Sequence, residues 1–326
     1  MAPTRFDILG IGNAIVDVVA PADESFLSHH DMHKGTMTLV DAATAECIYA
    51  AMPPGQESSG GSAANTCAVA AGLGARVAYL GKVAADQLGT VFAHDIRAAG
   101  VHFPSSPLRD GLPTARCLIL VTPDGQRTMN TFLGACVSLN EADVDPALVG
   151  DAAVTYLEGY LFDPPAAQAA FRLAAAAAHA AGRQVALSLS DPFCVNRHRA
   201  AFRALVAGHV DILFANEAEV TALYEANDFA TAAAQARAEV GLAALTRSEA
   251  GSLILRGNET VHVAAEPTRV VDTTGAGDAY AAGFLAGLTA GRELAACGRI
   301  ASIAAAEVIS HYGARPQTDL RALVPK

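Results

Sequence analysis

Short apolar runs alternate with longer stretches of helix-forming residues along most of the chain. Turn residues bound the apolar runs, and their lengths fit buried strands. These runs occupy residues 6–12, 77–81, 154–157, 185–189, 212–215 and 243–246. The intervening sequence predicts helices at 63–71, 90–99 and 166–181. Alternating strands and helices are typical of a mostly parallel sheet with helices on its faces, so the pattern predicts an α/β fold.

Two regions depart from this alternation, at residues 14–40 and 101–131. The second contains the apolar run 117–121, a Pro-Asp-Gly turn and a further run at 126–131, which together predict a hairpin. Short strands inserted into an α/β chain suggest a small sheet over the carboxyl ends of the main strands, where ligands of such sheets bind. We therefore expect a single domain, 1–326, with a discontinuous β-sheet lid formed by about 14–40 and 101–131.

Composition narrows the function classes. Of the 326 residues, 52% are hydrophobic and 17% are charged, which predicts an independently folding globular protein. A formal net charge of -11 argues against nucleic acid as a partner, because that binding needs clustered Lys and Arg. We find neither an apolar run of about 20 residues nor a secretory signal, so we expect no membrane insertion and a cytoplasmic protein. The six cysteines lack metal-ligand spacing.

The most informative segment is 271–278, which ends in Gly275, Ala276, Gly277 and Asp278 and leads into the apolar stretch 279–288. The glycines permit a tight turn, and the stretch behind them predicts a helix, whose N-terminal N–H groups form an anion site. A carboxylate beside that anion is suited to accept the proton of an attacking hydroxyl. The structural alternative is a simple helix cap made by residues 272–274.

A second glycine-led turn enters the helix predicted at 63–71. It reads Gly60-Gly61-Ser62-Ala63-Ala64-Asn65, and its last residue offers both a donor and an acceptor to a ligand rich in hydroxyl groups. The alternative is an ordinary helix start capped by Ser62. The sequence contains no GxxxxGK[ST] motif, so ATP would not be bound through a P-loop.

Two polar residues, Asn13 and Asp17, follow the first strand. They could bond sugar hydroxyls, or Asn13 could cap a turn while Asp17 is solvated. The segment begins as Gly-Ile-Gly, like a dinucleotide-binding fingerprint, but Ile15 occupies the third glycine position and no helix follows. We therefore do not expect a nicotinamide or flavin site.

Asn216 and Glu219 follow the strand at 212–215. They are three residues apart, so one face of a helical turn would carry both, and they could hold a hydrated Mg²⁺. An acidic first helical turn is the alternative. Arg127, after the hairpin turn, could neutralise a transferring phosphate, or it could be an exposed hairpin arginine.

In order and spacing, the segments 60–65, 216–219 and 272–278 resemble the motifs of the ribokinase-like (PfkB) carbohydrate kinase family, over residues 6–316. The resemblance implies a ribokinase-like three-layer fold with a small β-sheet lid, and transfer of the γ-phosphoryl group of ATP to a sugar hydroxyl.

The resemblance also implies a role for each matching residue. Asp278 is the base, Gly275 to Gly277 form the anion hole, and Asn216 and Glu219 organise Mg²⁺ through water. Sugar contacts are implied for Asn13, Asp17, Gly61, Ser62 and Asn65. ATP contacts are implied for Asn216, Thr246, Gly251, Gly275 and Gly277, although Ser248 departs from the family's usual TxGxxG pattern. Asp272 and Thr274 fall where family members bind a monovalent cation such as K⁺.

Within the family, the segments 10–17, 127–135 and 158–162 resemble the adenosine-kinase-like branch. Four residues there, Phe132, Leu133, Tyr160 and Phe162, could sandwich a purine, or they could fill the core. Ribokinase typically has a lysine where this chain has Ser62, which favours a nucleoside over free ribose.

We therefore predict ATP-dependent phosphorylation of the 5′-hydroxyl of a purine nucleoside, adenosine to AMP, by a monomer or homodimer. The alternatives are another kinase of the family, acting on guanosine, inosine, ribose or a fructose-like sugar, and a non-catalytic nucleoside sensor.

Overall fold

A computed structural model describes residues 3–324 as a mixed α/β fold. Within that range the strands are β1 (Phe6–Ile11), β2 (Ile15–Pro21), β3 (Met37–Leu39), β4 (Gln56–Gly60), β5 (Val77–Leu80), β6 (Val101–His102), β7 (Ala115–Val121), β8 (Arg127–Phe132), β9 (Ala152–Glu158), β10 (Gln184–Ser188), β11 (Ile212–Asn216), β12 (Leu242–Thr246), β13 (Ser252–Arg256) and β14 (Glu259–Val263). The α-helices are α1 (Glu24–His29), α2 (Ala42–Ala51), α3 (Ser62–Gly72), α4 (Gln87–Ala98), α5 (Pro146–Gly150), α6 (Pro165–Ala180), α7 (Pro192–His209), α8 (Glu217–Tyr224), α9 (Phe229–Glu239), α10 (Ala276–Thr289) and α11 (Leu294–Val308).

Nine strands form the main sheet, in the order β14-β13-β12-β11-β10-β9-β1-β5-β6. From β12 to β6 neighbouring strands are parallel, and only β13 and β14 pair antiparallel at one edge. The prediction of a mostly parallel sheet is confirmed.

Helices cover both faces of this sheet. In β1, Ile8 belongs to one hydrophobic core while Leu9 and Ile11 belong to the other, as expected when successive side chains point to opposite faces. Residues of α3, α10 and α11 build the first core, and residues of α6 and α7 build the second. Helices α10 and α11 pack closely at Gly283, which has no side chain. A Cβ at this position would lie only 2.7 Å from the Cα of Ala301. The predicted three-layer arrangement is therefore present.

A second sheet of five strands has the order β3-β8-β7-β2-β4. It differs in two ways from the lid expected at 14–40 and 101–131. Strand β4 belongs to it, paired antiparallel with β2, whereas β6 pairs with β5 in the main sheet. The β4 sequence, Gln-Glu-Ser-Ser-Gly, has no apolar alternation, and it is extended because β2 offers a partner. Pairing of this kind is not visible in local sequence.

The topology places a cleft at the carboxyl end of β1. After β1, the chain first adds β5 and β6 on one side of this strand and later adds β9 on the other side. The strand order therefore reverses at β1, as at the ligand-binding edge of open α/β sheets. Strand β2 follows β1 after three residues and carries the small sheet over that edge. Within residues 3–324, no helix is long and apolar enough to cross a membrane.

Candidate active site

The glycine turn before α10 has the geometry of an anion site. Gly275 caps the helix with φ +78°, and a Cβ there would lie 2.8 Å from the Cα of Ala314, so both conformation and space require glycine. The first helical turn leaves the N–H groups of Gly277 and Asp278 without intrahelical acceptors. An anion placed at this helix end would be stabilised by those N–H groups and by the helix dipole.

Asp278 lies in the first turn of α10, opposite the start of α3. The Ser62 hydroxyl donates to its Oδ1 at 2.6 Å, and Asn65, three residues further along α3, lies on the same helix face. Burial raises the pKa of Asp278 to about 6, although the side chains of Ser62 and Asn65 act to lower it. The group is thus ionised at neutral pH and still basic, which suits it to accept a proton from a hydroxyl.

The small sheet contributes a second carboxylate to the same cleft. Burial raises the pKa of Asp17, on β2, to about 6; Arg315 and Arg127 act against the shift, and Asp278 adds to it. Since the charge of Asp278 acts on Asp17, the small sheet and α10 contribute to the same site. Asp17 is half-buried, so it is not the fully solvated group of the alternative.

The backbones of Asn13, after β1, and Gly61, before α3, lie in contact. Gly61 has φ +96°, and a Cβ there would lie 2.0 Å from the backbone oxygen of Asn13. The Asn13 side chain is only 3% exposed, and its Nδ2 donates to Oε1 of Glu158 at 2.6 Å. One of its two amide N–H groups is therefore engaged inside the protein, and the other N–H and the side-chain oxygen remain for a ligand.

Glu158, at the end of β9, is the first residue of the segment 158–162, and no role is predicted for it from the sequence. It is 1% exposed and also accepts from the backbone N–H of Ala63, in the first turn of α3, at 2.7 Å. Burial raises its pKa to about 7. The carboxylate thus joins three segments of the site: the end of β9, the loop after β1 and the start of α3.

Arg127 is not an exposed hairpin arginine. Its side chain is 9% exposed, its Nη1 lies 2.8 Å from Oδ2 of Asp272, and its guanidinium lies 5.4 Å from the ring centroid of Tyr312. The lid is therefore attached to the turn that precedes α10. Its Nε has no hydrogen-bond partner among the described residues, so the guanidinium keeps a donor for a phosphate while Nη1 pairs with Asp272.

The same ion pair bears on the expected monovalent-cation site. Asp272 also accepts hydrogen bonds from the hydroxyl of Thr274 at 2.7 Å and from the backbone N–H of Gly313 at 3.3 Å. The carboxylate thus faces only donors, and one of them already carries a positive charge. Asp272 and Thr274 in this arrangement do not fit K⁺, so we derive no step from it.

Asn216 and Glu219 form a reciprocal cap at the start of α8. Asn216 Oδ1 accepts from the N–H of Glu219 at 2.9 Å, and the Glu219 carboxylate accepts from both the N–H and the amide of Asn216, at 2.9 and 2.7 Å. The structural alternative is thus realised. Burial raises the pKa of Glu219 to about 7, and the nearby carboxylates of Asp191 and Asp278 add to the shift. The concentration of negative charge around Glu219 would favour a bound Mg²⁺ ion. Because both oxygens of Glu219 already accept hydrogen bonds from Asn216, the ion would contact the carboxylate through its water ligands.

Thr246 and Gly251 lie beside this cap. Thr246 is in register with Asn216 where β11 and β12 end together. Gly251 has φ +82°, and a Cβ there would lie 2.1 Å from the backbone oxygen of Val263. Ser248 adopts φ +50°, the left-handed conformation that favours glycine. Serine therefore keeps the positive-φ turn despite the departure from the family pattern.

The four residues predicted to contact a purine differ in exposure: two are buried in the core and two are accessible to solvent. Phe162 is fully buried and stacks on Phe202 with ring centroids 4.3 Å apart, so the prediction that it contacts a purine is wrong. Phe132 is 6% exposed and packs in the other core. Tyr160 is 42% exposed, and Leu133 is half-buried. In the single turn Gly159–Phe162, residues two apart lie on different faces, so Tyr160 faces outward while Phe162 faces the core.

Arg315, a half-buried arginine in the segment after α11, was also missed by sequence reasoning. Arg315 donates to Oδ1 of Asn65 at 3.2 Å, to Asp95 at 3.1 Å and to the hydroxyl of Ser59 at 2.8 Å. Arg315 and Asn65 are 250 positions apart. No local pattern marks such a contact.

Comparisons with known proteins bear on the family of the chain. The model described as "pfkB family carbohydrate kinase" matches residues 39–320. The solved structure of adenosine kinase from Sinorhizobium meliloti is 53% identical, with a TM-score of 0.89 and 98% of each chain covered. That of a probable sugar kinase protein from Rhizobium etli is 50% identical, with a TM-score of 0.90 and the same coverage. Adenosine kinase from Saccharomyces cerevisiae is 28% identical, over 87% of this chain and 89% of that protein.

Proposed function

The chain belongs to the pfkB family of carbohydrate kinases and is a phosphotransferase that acts on an alcohol group, and we propose that its acceptor is the 5′-hydroxyl of adenosine. The products are AMP and ADP, with ATP as the donor. The observation that carries the proposal is the half-buried carboxylate of Asp278, with a pKa of about 6, set in the first turn of α10 beside free N–H groups.

In the proposed reaction, the 5′-oxygen forms a bond to the γ-phosphorus of ATP while its proton passes to Asp278. The bond from the γ-phosphorus to the bridging oxygen of ADP breaks, and ADP leaves with that electron pair. The free N–H groups in the first turn of α10, which begins after Gly275, and the guanidinium of Arg127 stabilise charge on the transferring oxygens. When bound, Mg²⁺ supplies further charge neutralisation on the phosphates, and the residues that would hold it through water are Asn216 and Glu219.

The preference for adenosine is supported by whole-length similarity to proteins named adenosine kinase. Tyr160 adds a physical reason, because its half-exposed ring stands near Asp278 and offers a face on which a purine can stack. A free sugar has no group that would use that ring. Asp17 and Asn65 offer the polar atoms that sugar hydroxyls require.

The alternative within the family is that the enzyme phosphorylates a different acceptor. The similarity to a probable sugar kinase supports this alternative. The test is ADP release in a coupled assay with adenosine, guanosine, inosine, ribose and fructose at fixed ATP and Mg²⁺. We expect the highest kcat/KM with adenosine. Turnover of another acceptor with no signal from adenosine would refute the substrate assignment.

Asp278→Asn is the matched variant for the base. It keeps the size of the side chain and an oxygen that accepts from Ser62, but it removes the proton acceptor. We expect roughly a 10²- to 10⁴-fold loss of kcat with adenosine binding retained by calorimetry. Turnover close to the wild-type value would remove Asp278 from the role of base.

A further inference from the structure

The segment that follows α11 reaches the centre of the site. Glu307, near the end of α11, accepts hydrogen bonds from the backbone N–H groups of Gln317 and Thr318, both at 3.0 Å. These bonds fasten the ends of a loop that returns over the cleft. Within it Ala314 packs on Gly275, and Arg315 points inward.

Arg315 occupies a defined position. Its Nη1 and Nη2 bond Asp95 Oδ2 and the Ser59 hydroxyl, and Asp95 in turn accepts from the N–H and hydroxyl of Ser59, at 2.8 and 2.5 Å. This anchor joins α4 to strand β4 of the small sheet. The third nitrogen, Nε, donates to Oδ1 of Asn65 at 3.2 Å.

An asparagine amide has one acceptor end and one donor end. Since Arg315 has only donors, its bond to Asn65 assigns Oδ1 to the Arg315 side and leaves Nδ2 for the other side. Asp278 lies on that other side: Asn65 is three residues after Ser62 on α3, on the helix face from which the Ser62 hydroxyl donates to Asp278, and its side chain acts to lower the pKa of that carboxylate. Without the guanidinium, the amide could rotate and present its oxygen to the carboxylate, where only repulsion would result.

Arg315 also supplies positive charge to a cleft that contains several carboxylates. Its field acts on Asp17 and favours the ionised form of that group. Asp95 is the anionic partner in direct contact with it. The positive charge is thus fixed next to Asn65 and close enough to Asp17 to act on its carboxylate.

We propose that Arg315 is a positioning residue that holds the amide of Asn65 with its donor towards Asp278, so that the base and the sugar hydroxyl are presented in a productive arrangement. The inference rests on the proposed role of Asp278 as base. It assigns to the C-terminal loop a part in catalysis that none of the sequence motifs contains.

A double-mutant cycle with Arg315→Met and Asn65→Ala tests this. Each single variant should lose about 10- to 100-fold in kcat/KM, and the double variant should lose little more than Asn65→Ala alone, because Arg315 acts through Asn65. The acid limb of the kcat/KM profile should also move to higher pH in Arg315→Met. Additive losses with an unmoved acid limb would overturn the proposal and indicate a merely structural role.

Two further variants make the result independent of folding. Arg315→Lys keeps the positive charge, so it should fold and retain an acid limb near that of the wild type; a limb moved as far as in Arg315→Met would contradict the role of the charge. Arg116→Met removes a different arginine that also pairs with a carboxylate, Glu46, and should lower Tm without moving the pH profile. A shift of that profile in Arg116→Met equal to that in Arg315→Met would contradict a specific role. The assays use whichever acceptor the wild type phosphorylates, so failure of adenosine as substrate leaves this test intact.

Discussion

Replacement of Ser62 by alanine tests the electrostatic account of the base. The Ser62 hydroxyl donates to Oδ1 of Asp278 at 2.6 Å, and this bond stabilises the ionised form of the carboxylate. Burial acts in the opposite direction and holds the pKa at about 6. Without the hydroxyl, the effect of burial is less opposed, so the pKa of Asp278 must rise.

The size of the rise follows from the strength of the bond. A hydrogen bond to a charged group contributes about 1.5–3 kcal/mol, and one pKa unit corresponds to about 1.4 kcal/mol, so we expect an increase of about 1 to 2 units. The pKa would move from about 6 to about 7–8. At pH 7 the ionised fraction would fall from about 0.9 to between about 0.1 and 0.5.

The assay is the pH dependence of kcat/KM by coupled ADP release, because this parameter reports the pKa of the free enzyme. The base acts only when ionised, so wild-type activity should rise with pH through about 6, and the Ser62→Ala limb should lie about 1 to 2 units higher. Ser62→Thr keeps a hydroxyl and should restore most of the wild-type profile. Any direct contact of Ser62 with substrate would instead lower the plateau at high pH. An acid limb that stays in place would refute the assignment of Asp278 as the titrating base.

Three further predictions concern the turn, the lid and the aromatic residues. Gly61→Ala places a Cβ 2.0 Å from the oxygen of Asn13, so it should destabilise the protein by at least about 2 kcal/mol in a denaturant titration; Gly72→Ala, in open space at the end of the same helix, should be neutral or slightly stabilising. Arg127→Ala should lower kcat by roughly 100-fold or more while the KM for the acceptor changes little; an unchanged kcat would remove Arg127 from the reaction. Tyr160→Ala should raise the KM for adenosine more than that for ribose, whereas Phe162→Ala should cost about 3–5 kcal/mol of stability without altering acceptor preference. Equal effects of the two aromatic substitutions on KM would contradict the separation of surface from core.

Local sequence patterns predicted helices and strands correctly where apolar residues recur at regular spacing along the chain. Strands β1, β9, β10, β11 and β12 and helices α3, α6 and α10 were predicted to within a few residues, because each contains its own apolar periodicity or glycine boundary. Strand β4 was missed because its polar sequence depends on β2 for its conformation. Pairing between distant segments has no signature in either one alone.

The site divides in the same way. The sequence alone determined the glycine turn at Gly275, the carboxylate of Asp278 beside it and the second turn at Gly61, since a tight turn into a helix is a local property of the chain. Only the tertiary structure decided that Glu158 holds Asn13 and that Arg315 holds Asn65. These contacts join residues 145 and 250 positions apart, and their partners are chosen by the way the sheet, the lid and the C-terminal loop pack together. A buried charge must find a partner when it leaves water, but the chain sequence does not state where that partner will lie.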